Sequence, residues 1–254
     1  MDVDNYTPPL QPAPPAANEP MLIVHEPRVV IGDRGAAWLT EAWDAFKSAP
    51  VSWLLLCIAG AALWFVINLI PLINIANGLL QPVWGAGLLL AVHAQRNGGK
   101  VKLAHLFAGF GPKLGRLVLS GVVAGVIMLV IVGITVGPLA VQLLQAPDPQ
   151  ALLLGQDMNS LLLRGLIAMA LTIPVYAAVW FAPALIVFGN MGVQQSLLLS
   201  MQACLKNVWP FLIYSLCLTV LGILTVFTFG LALLVIIPMF YISVYLSFRD
   251  IFID

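Results

Sequence analysis

The stretch LVLSGVVAGVIMLVIVGITVG, residues 117–137, decides the fold. It carries no charged residue, and about 20 apolar residues in a helix cross the ~30 Å hydrocarbon core of a bilayer. The rest of the chain shares this character: 61% of residues are hydrophobic, 9% are charged, and the mean hydropathy is +1.01. Lipid is the solvent that such a composition fits. The net charge is zero, so nothing global points to nucleic acid as a partner.

Upstream of this run, the basic loop RNGGKVKLAHLFAGFGPKLGR (96–116) holds a short amphipathic segment, VKLAHLFAGF. Before it, two apolar stretches form a hairpin, Val51–Ile70 and Leu79–Ala94, around the turn PLINIANG. The second arm is near the lower limit for crossing, and Pro82 kinks it close to its start. Downstream, the apolar pattern of the third span continues to about Leu144, longer than one bilayer, so Pro138 marks a kink or the exit. The loop QAPDPQALLLGQDMNS (145–160) has no Lys or Arg. A fourth span is expected over Leu161–Phe188, with Pro174 and Pro183 inside it. The fifth and sixth are expected over Val208–Thr228 and Leu231–Phe248, joined near Gly230.

Three segments beside these spans read as interfacial helices. In RGAAWLTEAWDAFKS (34–48), Trp38, Leu39, Ala42, Trp43 and Phe46 share one helical face, and Thr40, Glu41, Asp44 and Lys47 the other. An apolar stripe with two Trp beside a span fits the bilayer surface; a helix packed on its own protein has the same pattern. The other two are the segment around residues 101–110 and MGVQQSLLLSMQACLK (191–206). Residues 1–33 read as a disordered Pro-rich tail, with seven prolines in the first thirty residues, and residues 34–254 as one six-helix transmembrane domain. The tail serves as a linker or as a polyproline docking motif. It lacks the layout of a cleaved signal peptide, so the first span is expected to act as an uncleaved insertion signal.

The expected class is an all-α integral membrane protein with six transmembrane helices and three cytoplasmic interfacial helices. Orientation follows from the eleven Lys and Arg. Arg28, Arg34, Lys47, Arg96, Lys100, Lys102, Lys113, Arg116, Lys206 and Arg249 fall on one side of the six-span arrangement, and Arg164 alone on the other. This bias places both termini in the cytoplasm. A unit of interfacial helix followed by membrane hairpin then opens three times, near Arg34, Val101 and Met191. AFKSAPVSWLLL aligns weakly with CLKNVWPFLIY, Lys47 facing Lys206. A three-fold parallel repeat and shared membrane composition both account for that alignment.

No catalytic, metal-binding or cofactor-binding constellation emerges. Cys57, Cys204 and Cys217 form no CxxC pair and read as small core residues. His93 and His105 are too few to hold a metal. No Asp or Glu lies within an expected span, which argues against a charge-coupled carrier. Asn68, Asn74 and Asn77 fit turn chemistry. Arg164 either snorkels to headgroups or pairs with Asp157. Lys100, Lys102, Lys113 and Arg116 are candidate contacts for anionic lipid headgroups, and they carry the topology signal as well. Gly121, Gly125, Gly133 and Gly137 place small residues four apart, a helix-packing pattern.

Three stretches, RGAAWLTEAWDAFKSAP, LLQPVWGAGLLLAVHAQRNGGKVKLAHLFAGF and VWFAPALIVFGNMGVQQSLLLSMQACLKNVWPFLIY, cover about a third of the chain. They resemble a family of uncharacterised proteobacterial multipass membrane proteins. The resemblance implies a six-span bacterial inner-membrane protein and brings no activity. The leading functional expectation is a non-enzymatic protein acting through association with membrane lipids, another membrane protein or a second copy of itself. The alternative is a permease or exporter for a small or hydrophobic substrate.

Overall fold

The computed structural model describes residues 21–69, 77–148, 150, 155 and 157–253. The Pro-rich stretch 8–20, Asn74 and most of the loop 149–156 lie outside the described residues. The structure is all-helical, 81% helix, with no strand among the described residues.

Helix α1 is Arg34–Ser48 and α2 is Pro50–Asn68, with Ala49 alone between them. Pro50 opens α2 at a position where its missing N–H would have no helical partner. Helix α3 is Gln81–Arg96, followed by a 3₁₀ segment, Leu103–Phe110. Helix α4 is Leu114–Thr135 and α5 is Gly137–Gln145. Pro138 sits in the first turn of α5, so the long third apolar run breaks at Val136. Helix α6 is Met158–Trp180 and α7 is Ala182–Gly189, with Pro183 in the first turn of α7. Pro174 lies inside α6 without ending it. Helices α8, Val193–Lys206, α9, Val208–Phe227, and α10, Leu233–Phe252, complete the chain.

Among the described residues, five helical stretches are long and apolar enough to cross a membrane: α2, α4, the Met158–Gly189 stretch of α6 and α7, α9 and α10. The arm expected as the second span is α3, which is shorter than these at 16 residues.

The core sits at one end of the molecule. Helix α2 buries only Trp53, Leu56 and Cys57, all in its first turns. Helix α9 buries only Pro210 and Tyr214, also near its start. Helix α10 is the central post, with 56% of its apolar window buried against 11% for α9. Its C-terminal half supplies Tyr245, Phe248 and Phe252, which pack with Phe181 and Phe188 of the α6–α7 break at ring separations of 5.5–6.4 Å. Away from this end, most side chains of α2, α6 and α9 are exposed.

The stripe of α1 is spent largely on the chain itself. Trp38, Leu39, Ala42 and Phe46 are buried against neighbouring helices, α10 and α9 foremost, while Trp43 is exposed. The segment expected as an amphipathic helix near residues 101–110 is instead a 3₁₀ run laid along α3. The two backbones touch where Gly87 faces the His105 carbonyl and Gly109 faces the Val83 carbonyl. A Cβ at either glycine would collide with that oxygen, so this packing explains both glycines.

Of the tail expected to be disordered over residues 1–33, residues 1–20 lie outside the described residues, and the part from residue 21 on is packed against the helices. Residues 22–30 lie as an extended strap across helix ends. Leu22 N–H donates to the Phe188 carbonyl at 2.8 Å, His25 N–H to Phe252 at 2.9 Å and Arg28 N–H to Ile251 at 3.1 Å. The physical reason is at the other partner. The last carbonyls of α7 and α10 have no acceptor role inside their own helices, and the strap satisfies them.

Candidate functional site

The polar side chains of the packed end form a belt that locks the elements together. The Asp250 carboxylate, near the end of α10, accepts the Trp38 indole N–H at 2.7 Å and pairs with Arg34 Nη2 at 2.5 Å. Arg34 Nη1 reaches Glu41 at 2.8 Å one face along α1. Burial alone would lower the Arg34 pKa, but hydrogen bonds and charge from Glu41 and Asp250 outweigh it and raise the pKa. Arg28 Nε donates to the Asp250 backbone carbonyl and draws in the strap.

Asn207, buried in the one-residue gap between α8 and α9, reads the strap as a strand would. Its Oδ1 accepts Val30 N–H at 2.8 Å, and its Nδ2 donates to the Arg28 carbonyl at 2.9 Å. Lys206 Nζ adds a bond to the Pro27 carbonyl at 3.1 Å. Gln95 plays the same part for α1, α2 and α3. It accepts the Trp53 indole N–H at 2.9 Å and donates to Ala45 O and Ser48 Oγ, both at 2.8 Å.

At the α6–α7 break, the Ser200 hydroxyl stands in the helical ladder. It donates to Ala177 O at 2.7 Å and accepts Phe181 N–H at 2.9 Å, replacing the direct bond between them. Cys204 Sγ also donates to Ala177 O. Burial pushes the Cys204 thiol up to about 12.

The four basic candidates divide into two pairs. Lys113 Nζ donates to Val187 O at 2.8 Å. Arg116 Nη1 donates to the carbonyls of Asn190 and Met191 and to Asn190 Oδ1. Both thus tether the start of α4 to the C-terminal end of α7, where cations are favoured. Lys100 and Lys102 are exposed on the loop that feeds the 3₁₀ segment. Directly after them, Leu103, Phe107 and Phe110 are exposed as well, and Trp84 packs edge-on beneath Phe107 and Phe110 at 6.1 and 5.0 Å. Two ammonium groups beside an apolar, aromatic face match a membrane interface carrying negative headgroups.

The glycines divide too. Gly121 lies against the Leu79 carbonyl and Pro82, and Gly125 against the Leu79 side chain. Gly133 and Gly137 have open space where a side chain would stand. Asn77 is buried and accepts the Trp84 indole N–H at 2.8 Å, and Asn68 donates back to Trp64 O. His93 bridges Tyr245 and Asn97, and His105 folds back onto the Lys102 backbone. Asp157 caps the first turn of α6 through Ser160 N–H. Among the described residues no group of three or more His, Cys, Asp or Glu could hold a metal ion.

Asp250, Asn207, Gln95 and Ser200 carry most of these polar contacts, and sequence reasoning assigned none of them a role. Asn207 alone had a local signal, because it follows Lys206 at a helix end and precedes a Pro-containing first turn.

Comparison with family models, with curated proteins and with solved structures finds no match.

Proposed function

We propose that this is a six-span protein of a bacterial inner membrane, with both termini cytoplasmic, that acts without catalysis through association with anionic lipids and neighbouring membrane proteins. The observation that carries this reading is the exposure of Lys100 and Lys102 directly before exposed Leu103 and Phe107. In the proposed arrangement α3 crosses as the short second span. Further support comes from α8, which buries Ser196, Ser200 and Ala203 but exposes Leu198 and Leu205. Leu205, with exposed Trp209 at the start of α9, gives that end an apolar rim suited to the interface. The ten-to-one bias of basic residues supports the orientation. The element order supports a three-fold plan: α1 before α2 and α3, the 3₁₀ segment before α4 and α6, and α8 before α9 and α10.

The test is purification in mild detergent of the wild type and of a Lys100→Gln, Lys102→Gln variant, with quantification of co-purifying lipids. Enrichment of phosphatidylglycerol or cardiolipin that falls in the variant supports the reading. Equal lipid profiles would remove the lipid part of it.

A further inference from the structure

We propose that Arg164 is a receptor for the phosphodiester of a membrane phospholipid, in the leaflet opposite the Lys100–Lys102 loop. The inference rests on the membrane-spanning reading but is independent of the basic loop. Helix α6 ends in the packed core, where the Trp180 ring lies 5.5–6.1 Å from those of Phe240, Phe211 and Tyr214. Its 23 residues extend roughly 34 Å, so its start lies about one bilayer away from that core. Arg164 is six residues in from Met158, some 9 Å along the axis. Side chains on a helix lean toward its N-terminus, and a long Arg stem carries the charge further the same way. The guanidinium thus reaches headgroup level on the far side.

The surroundings call for an anion. Leu162, Leu163, Leu166 and Ile167 are exposed around this turn, which brings lipid against the helix. Arg164 Nη1 is buried and has no hydrogen-bond partner among the described residues. A desolvated charged donor without an acceptor is costly. The nearest acid in sequence, Asp157, is turned to the Ser160 amide as a helix cap. Arg164 is also the one Lys or Arg between Arg116 and Lys206, so no other cation competes for an anion there. A phosphodiester presents two oxygens that match the guanidinium fork, which a lysine cannot reproduce.

The experiment is native mass spectrometry of the full chain released from nanodiscs of phosphatidylglycerol, of phosphatidylcholine, or of phosphatidylcholine with added diacylglycerol. Wild type, Arg164→Gln, Arg164→Lys and the Lys100→Gln, Lys102→Gln variant are compared. The expected result is one tightly retained phospholipid, with either headgroup, that is lost in Arg164→Gln, weakened in Arg164→Lys and kept in the lysine variant. Diacylglycerol is not retained. A delipidated sample is also titrated with inorganic phosphate. Unchanged phospholipid retention in both Arg164 variants would overturn the proposal, as would retention of diacylglycerol through Arg164. Binding of inorganic phosphate with no retained lipid would overturn it in favour of a free anion. If the lysine variant loses its anionic lipid while Arg164 variants behave as wild type, the basic-loop reading stands and this one falls.

Discussion

Asp250 accepts the indole N–H of Trp38 at 2.7 Å, across 212 positions of sequence. This bond fixes α1 to the end of the central helix α10, and Arg34 closes the same carboxylate from the other side. Removing the carboxylate leaves a buried indole donor unpaired, a loss of about 1–3 kcal/mol. The Arg34 pair adds little more, because both partners keep some exposure. Asp250→Ala is therefore expected to lower the melting temperature in detergent clearly, and Asp250→Asn, which keeps an acceptor for Trp38, by less. Equal melting of all three proteins would contradict the clamp.

Ser200 predicts a sharper effect than its size suggests. Its hydroxyl is the sole described partner joining Ala177 O to Phe181 N–H at the α6–α7 break. Ser200→Ala leaves Phe181 N–H without its acceptor and Ala177 O with only the weak Cys204 Sγ donor, unless the helix straightens to join them, and is expected to cost about 1–3 kcal/mol. Hydrogen exchange checks it directly: the Phe181 amide should exchange faster in Ser200→Ala and stay protected in Ser200→Thr. Unchanged protection in Ser200→Ala would contradict the inserted hydroxyl.

Gly121 and Gly133 share a helix and a sequence pattern but not a fate. A side chain at Gly121 meets the Leu79 backbone, so Gly121→Val is expected to separate α4 from the α3 arm, at about 1–3 kcal/mol. A Cβ at Gly133 has no neighbour within 4 Å among the described residues. Melting curves of the two variants in detergent should therefore differ. Loss of stability in Gly133→Val equal to that in Gly121→Val would show that Gly133 also packs.

The thiol of Cys204, held near 12 by burial, stays protonated at neutral pH. Thiol reagents attack the thiolate, so labelling at pH 7.5 should be slow in the folded protein and rapid after denaturation. Fast labelling of Cys204 in mild detergent would contradict its burial against Ala177.

Local patterns made much of the fold legible. The apolar positions Trp38, Leu39, Ala42 and Phe46 are the ones α1 buries, and Pro138, expected as a kink or exit, sits at the break before α5, whereas Pro183, expected inside a continuous fourth span, opens a separate helix. Trp43 shares that stripe by sequence, yet it faces out and stacks on Phe46 with Lys47 over its ring. A stripe narrower than the pattern suffices once the helix packs chiefly between α9 and α10. The strap was hidden because extended chain pairs through its backbone, and residues 22–30 carry no periodic signature of where those bonds go. Asp250 and Ser200 were hidden for a related reason. Each acts on a residue brought near by tertiary packing, and nothing adjacent in the chain reports it. The four basic candidates looked alike in sequence, but the Val187, Asn190 and Met191 carbonyls engage Lys113 and Arg116 and leave Lys100 and Lys102 on the surface.

The most direct test of the central claim is spin-label spectroscopy of lipid selectivity in bilayers containing the full chain. Spin-labelled phosphatidylglycerol and phosphatidylcholine report which headgroup is held at the protein surface. A preference for phosphatidylglycerol is expected, worth about 1 kcal/mol for each exposed lysine near the surface. It should shrink in 1 M salt and in the Lys100→Gln, Lys102→Gln variant. Equal restriction of the two lipids, or a preference untouched by both salt and the variant, would contradict the account.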